Sequence, residues 1–86
     1  MNILKTINEF GEEITIELLF NFEIKELNKN YVVYTLNDDG VSEDVNVLIS
    51  EIYYDDKTPR IKSIEESEKE MVVLFYNNIK NSIVNQ

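Results

Sequence analysis

Ile14-Thr-Ile-Glu-Leu-Leu-Phe-Asn-Phe-Glu-Ile24 is the stretch on which the reading of this 86-residue chain turns. Every second residue is apolar: Ile14, Ile16, Leu18, Phe20, Phe22 and Ile24. Between them stand Thr15, Glu17, Leu19, Asn21 and Glu23, of which only Leu19 is apolar. Period-two alternation marks a strand with one buried face and one wet face. Two-faced strands belong to antiparallel sheets, because parallel strands are covered on both sides. Eleven residues from Ile14 to Ile24 make a long strand, so a bend or bulge is expected near Leu19–Asn21.

Working outward, Ile3 to Ile7 reads as a first strand, joined to the second by Asn8-Glu-Phe-Gly-Glu12, where Gly11 can take positive φ. Lys25 to Asn30 is polar and suits a second turn. Tyr31-Val-Val-Tyr-Thr-Leu36 is dense in β-branched and aromatic residues and reads as a central strand. Asn37-Asp-Asp-Gly40 is the strongest turn signal, extended by Glu43 and Asp44. Val45 to Tyr53 reads as a fourth strand, Tyr54 to Pro59 as a polar turn, and Arg60 to Ser63 as a short final strand. Ser63-Ile-Glu-Glu66 has the form of a capping box, and a helix is expected from about 64 to 81. On that helix Ile64, Met71, Val72, Phe75, Tyr76, Ile79 and Ile83 share one arc, leaving Val73 and Leu74 outside it. Strands followed by one helix give an α+β domain: a four- to five-stranded antiparallel meander with the C-terminal helix across one face. The whole chain reads as one domain, 1–86, with strands within 3–63 and a frayed tail at 82–86.

Composition narrows the function. Seventeen acids against eight bases give a net charge of −9, spread along the chain. That charge repels phosphate backbones and anionic membranes, so neither direct nucleic-acid binding nor membrane binding is expected. It favours a protein partner with a basic surface. There is no cysteine and no histidine, which removes thiol chemistry and the commonest general base and metal ligand. Gly11 and Gly40 are the only glycines, too few for a phosphate-binding loop. No cofactor and no metal are expected. The start lacks a signal-peptide apolar region and no run approaches membrane-spanning length, so the expected location is cytoplasmic. Eleven asparagines, eleven isoleucines and seven lysines among the eight bases suggest an AT-rich gene of a low-GC bacterium or its phage.

Candidate binding residues come from two places. On the third strand Tyr31 and Val33 point opposite to Val32, Tyr34 and Leu36, so both faces are apolar although one helix covers only one face. The second face, shared with Leu19, Tyr53 or Tyr54 and flanked by Glu17 and Glu23, is a candidate partner surface. The bland alternative is cross-strand packing in a thin second layer, and Tyr34 could exchange roles with Tyr31 because the register is open. The second place is the acidic loop of Asp38, Asp39, Glu43 and Asp44, read as a contact patch or as a solvated turn. It lacks the alternating spacing and closing glutamate of a calcium loop. Glu17, Glu23 and Glu51 could in principle do acid–base work if buried, but a solvated sheet face is the expected setting. Val73 and Leu74 could form an interface or be ordinary exposed residues.

The polar turn followed by Ile14-Thr-Ile-Glu-Leu18, then Phe22-Glu-Ile24, Tyr31-Val-Val33, Asp44-Val-Asn-Val-Leu-Ile49, and Ile64-Glu-Glu66 leading into an acidic helix resembles the YrzB-like family of small acidic bacterial proteins. The likeness spans about Ile3 to Ile79. It departs in a longer Phe22–Tyr31 hairpin without glycine and in an Asn-rich tail. That family is one of unknown function, so the resemblance implies no catalytic residue. The leading expectation is a non-enzymatic interaction or regulatory module. The alternative is a phage-type inhibitor that mimics DNA, and a small-ligand binder or enzyme is the third class.

Overall fold

A computed structural model describes residues 2–36 and 46–84. Five strands run in order: β1 Asn2–Ile7, β2 Glu13–Ile24, β3 Lys29–Thr35, β4 Leu48–Asp55 and β5 Thr58–Lys62. A short 3-10 turn at Glu66–Glu68 leads into helix α1, Lys69–Val84. Consecutive strands pair antiparallel, as the alternation requires, and a helix follows them, so the fold is α+β. The meander then closes on itself: β1 meets β5 in parallel through Ile7 and Arg60, turning the sheet into a five-stranded barrel.

The turns explain the strand bounds. Asn8 Oδ1 accepts the Phe10 and Glu12 amides at 2.9 Å each, and Gly11 takes φ 82°. Between β2 and β3, Asn28 stands at φ 55° where a glycine is more usual, since a short amide side chain tolerates that region. Between β4 and β5 only Asp56 and Lys57 turn the chain, both at positive φ. Such a two-residue hairpin matches strand twist. Strand β5 therefore begins at Thr58, earlier than the expected Arg60, and tolerates Pro59 because its other edge meets β1 only at Arg60. Strand β4 runs from Leu48, three residues later than the expected Val45. The expected turn at Asn37–Gly40 lies outside the described residues.

The expected irregularity in β2 falls at Leu19. Leu18 pairs with Tyr34 and Phe20 with Val33, so Leu19 is one extra residue on β2. This bulge divides the apolar stripe. Ile14, Ile16 and Leu18 join Val32, Tyr34, Ile52 and Ile61 in a core inside the barrel. Phe20, Phe22 and Ile24 join Tyr31, Val33 and Ile49 on the outer face, where α1 covers them with Val72, Phe75, Tyr76 and Ile79. The Phe20 and Tyr76 rings stack at 5.9 Å. Val73 and Leu74 are exposed, as their angular position predicts. Among the described residues no helix is long and apolar enough to cross a membrane.

The capping box does not form. Glu65 precedes the 3-10 turn without a side-chain cap, and the Ser63 hydroxyl donates instead to Glu9 Oε1 at 2.7 Å. The regular helix therefore starts at Lys69, five residues later than expected.

Candidate functional site

Where β3 begins, one lysine gathers three carboxylates. Lys29 Nζ donates to both oxygens of Glu68 at 3.0 Å and to Glu65 Oε2 at 3.2 Å, and lies 3.6 Å from Glu51 Oε1. The Tyr31 hydroxyl donates to Glu68 Oε1 at 3.5 Å. Glu65 and Glu68 belong to the segment entering α1, so the cluster fastens the start of the helix to the barrel wall. The Glu68 carboxylate holds the Lys29 ammonium above the usual lysine range despite the opposing effect of partial desolvation, with Glu65 and Glu51 adding to the rise. Burial pushes the Tyr31 phenol up, and the negative charges of Glu68 and Glu51 push it the same way. Glu51, expected on a solvated face, is only 7 % exposed. It pairs with Tyr31 and Lys62 across the strands, and Lys62 Nζ is 4.0 Å from its Oε2. Its Oε1 accepts no hydrogen bond.

A cleft opens beside this cluster. Pairing between β3 and β4 stops at Asn30–Ile52, whereas β2–β3 pairing continues to Ile24–Lys29 and β4–β5 pairing to Asp55–Thr58. The two hairpin tips diverge beyond that point and enclose about 450 Å³. One wall carries Asn21, Asn28, Lys29 and Asn30, the other Tyr53 and Tyr54, with Glu51 and Ile52 where they meet. Tyr54 is 65 % exposed, and the Tyr53 ring carries Lys62 Nζ at 5.7 Å from its centroid. The lining brings together three asparagines, two tyrosines and the Glu51 carboxylate, which has Lys29 and Lys62 nearby. It can accept hydrogen bonds from a cationic group and stack against a flat one.

Several expected site residues lie elsewhere. Tyr31 and Val33 are 0 % exposed beneath α1 and offer no partner surface, because the barrel interior takes the opposite face of β3. The polar face expected along β2 does not exist as one face. Glu17 pairs with Thr35 before the bulge and Glu23 with Asn30 after it, which puts them on opposite sides of the sheet. Glu17 is half-buried, Glu23 exposed, and Leu19 stands 46 % exposed at the bulge itself. Asp38, Asp39, Glu43 and Asp44 lie outside the described residues. Tyr53 and Tyr54, named as companions of that face, do line the cleft.

Three bacterial relatives match along most of the chain. A UPF0473 protein of Listeria monocytogenes serotype 4a is 34% identical over 70 residues, covering 79% of this chain and 70% of the relative. The chain belongs to the UPF0473 family. UPF0473 proteins of L. monocytogenes serotype 4b and L. welshimeri serovar 6b are 33% and 31% identical over the same shares. No family model and no solved structure matches. UPF0473 is an uncharacterised family, in keeping with the expected unknown function, and it assigns no catalytic role. Of the residues that build the cluster and the cleft in this UPF0473 chain, Asn21 lies on the β2 face that the sequence offers to a partner, whereas Lys29 with Glu65 and Glu68, and Asn28 with Asn30, are not among the expected site residues. The one available signal was Asn28-Lys-Asn30 immediately before the Tyr31 strand.

Proposed function

We propose that this UPF0473 chain is a non-enzymatic acidic interaction module that binds a protein partner through a basic surface on that partner. One observation carries the reading. Glu13, Glu23, Glu26, Asp56 and Glu70 are all exposed, and no salt bridge joins any of them to a cation among the described residues. With a net charge of −9, these uncompensated carboxylates make a field that steers a basic surface toward the barrel and suppresses acidic competitors. The likeness to the YrzB-like family supports the same picture of a small acidic bacterial protein.

The test is capture on the immobilised full chain from its host lysate at two ionic strengths, read by mass spectrometry. A partner with a basic surface is expected to bind at about 50 mM salt and to be lost by about 300 mM, because exposed charges are screened over that range. Replacing Glu13, Glu23 and Glu26 by lysine together should weaken capture at low salt. Absence of any salt-sensitive partner overturns the proposal. Displacement of the captured protein by duplex DNA would recast the module as a DNA mimic.

A further inference from the structure

We propose that the cleft between the two hairpin tips receives an arginine side chain of the basic partner, its guanidinium laid against Tyr54 and donating to the asparagine carboxamides of the opposite wall. The inference rests on the interaction reading above and names the point at which that interaction is specific.

Charge decides the sign of the occupant. Lys29 is shared among Glu51, Glu65 and Glu68, and Glu51 Oε1 is left without a hydrogen bond. A further cation gains from this excess of carboxylate. Phosphate-bearing ligands are repelled both here and by the net charge of −9. Hydrogen-bonding capacity and shape narrow the class. Three asparagines line one wall and two tyrosines the other. A guanidinium brings five donors in a planar fork that both stacks and hydrogen-bonds, whereas an ammonium is a compact, strongly hydrated charge that cannot lie flat on a ring. The wall already holds one such contact in Lys62 above Tyr53. The volume of about 450 Å³ lies in the range of side-chain- and ligand-sized pockets and exceeds what one arginine fills, so the segment bearing it can enter with it. Exposed tyrosine beside asparagine is a composition that binding surfaces favour, because two-torsion aromatics give contact area at low entropic cost.

The test uses the uniformly ¹⁵N-labelled full chain titrated with a blocked glycyl-arginyl-glycine peptide and with its lysine and citrulline counterparts. Saturable shifts are expected at the side-chain amides of Asn21, Asn28 and Asn30 and at the backbone of Tyr53 and Tyr54, with a dissociation constant in the millimolar range. Citrulline, neutral and nearly isosteric, should not saturate, and lysine should bind more weakly than arginine. Tyr54→Ala should weaken arginine binding about three- to fivefold, the loss of one exposed cation–π contact. It should leave the rest of the spectrum in place, since Tyr54 is mostly exposed. Equal binding of citrulline and arginine, or no shift at the cleft amides, overturns the assignment. Salt-sensitive lysate capture that persists in full with Tyr54→Ala would overturn the cleft alone and leave the interaction reading standing. Loss of capture by the wild-type chain would remove the interaction reading itself.

Discussion

Ile14, Ile16 and Leu18 enter the barrel, whereas Phe20, Phe22 and Ile24, which continue the same alternation, lie outside it beneath α1. The difference is a single residue. Leu19 has no partner of its own on β3, and past it the strand presents its apolar residues to the opposite side. One periodic stripe thus supplies two cores. The inner core is shared by all five strands, β1 contributing Leu4, and is reinforced by a buried Tyr34–Ser50 hydroxyl pair at 2.7 Å. The outer core depends on the helix, and its polar fastening is the Lys29 cluster at the helix start. Alternation fixes which residues share a face only as long as the register with the neighbouring strand holds.

Inserting one alanine between Ile16 and Glu17 breaks the comparison most severely. Alternation then turns Ile14 and Ile16 to the face opposite Leu18, out of the inner core. The expected cost is about 3–5 kcal/mol, a large share of the stability of a domain this size. Thermal unfolding followed by circular dichroism should show a midpoint far below that of the wild type. Deleting Leu19, by contrast, makes Leu18 and Phe20 neighbours, which alternation sends to opposite faces, so the pairs Leu18–Tyr34 and Phe20–Val33 are kept and the transition should stay cooperative. Leu19→Ala should stay within about 0.5 kcal/mol of wild type, because the side chain is exposed. A deletion variant without a cooperative transition would show that the extra residue itself holds the two halves of the strand apart.

Truncation within each core comes next. Ile16→Ala in the barrel should cost about 2–5 kcal/mol, as fully buried aliphatic deletions do. Val72→Ala on α1 should cost about 2 kcal/mol, from the carbons lost at roughly 0.8 kcal/mol each and a small cavity. Urea denaturation measures both. Near-equal costs would mean that the helix-covered core is as central as the barrel. Hydrogen exchange should separate them further, with the Val72 variant losing protection in α1 and the Ile16 variant losing it throughout.

How much of this was open to sequence reasoning follows from the range of each interaction. The β2 alternation, the two apolar faces of β3 and the helix arc through Val72, Phe75, Tyr76 and Ile79 are local patterns, and the structure keeps them. Barrel closure is not local. It rests on one pairing, Ile7 with Arg60, between residues of no distinctive type. Without closure, the second face of β3 looks free, which makes Tyr31 and Val33 candidates for a partner surface beside the alternative of cross-strand packing. The helix start failed for a similar reason. Ser63 and Glu66 satisfy a local capping pattern, but the Ser63 hydroxyl reaches Glu9, 54 positions earlier in the chain. Lys29 takes Glu65 and Glu68 from 36 and 39 positions away. The cleft depends on where β3–β4 pairing stops, a property of register that no residue type announces.

Removing one hydroxyl probes the inner core more gently. Tyr34→Phe leaves the Ser50 hydroxyl buried without its partner, and about 1–2 kcal/mol should be lost. Adding Ser50→Ala should recover part of that loss, because replacing both partners by apolar groups removes the unsatisfied group. A double variant no better than the single would show that Ser50 finds another partner.

The smallest effect is expected at the outer core and is read by pH. Both Lys29 and Tyr31 are raised in the folded chain. For each, the folded state therefore holds its proton to higher pH than the unfolded state does. Their contribution is fully present below the ordinary lysine and tyrosine values of about 10 and declines as pH rises through the higher folded values. The urea midpoint should be flat in this respect from pH 7 to about 9.5 and fall above about 10.5. Because the ion pairs sit near solvent, the fall should be modest and smaller still in high salt. It should also be local at first. Resonances of Phe22 and Tyr31 beneath the helix should move before those of Tyr34 and Ile52 in the barrel, since Lys29 fastens only the segment that leads into α1. Lys29→Met should abolish this order of events. Simultaneous movement of both sets in wild type would mean that the two cores yield as one and that the bulge divides faces without dividing stability.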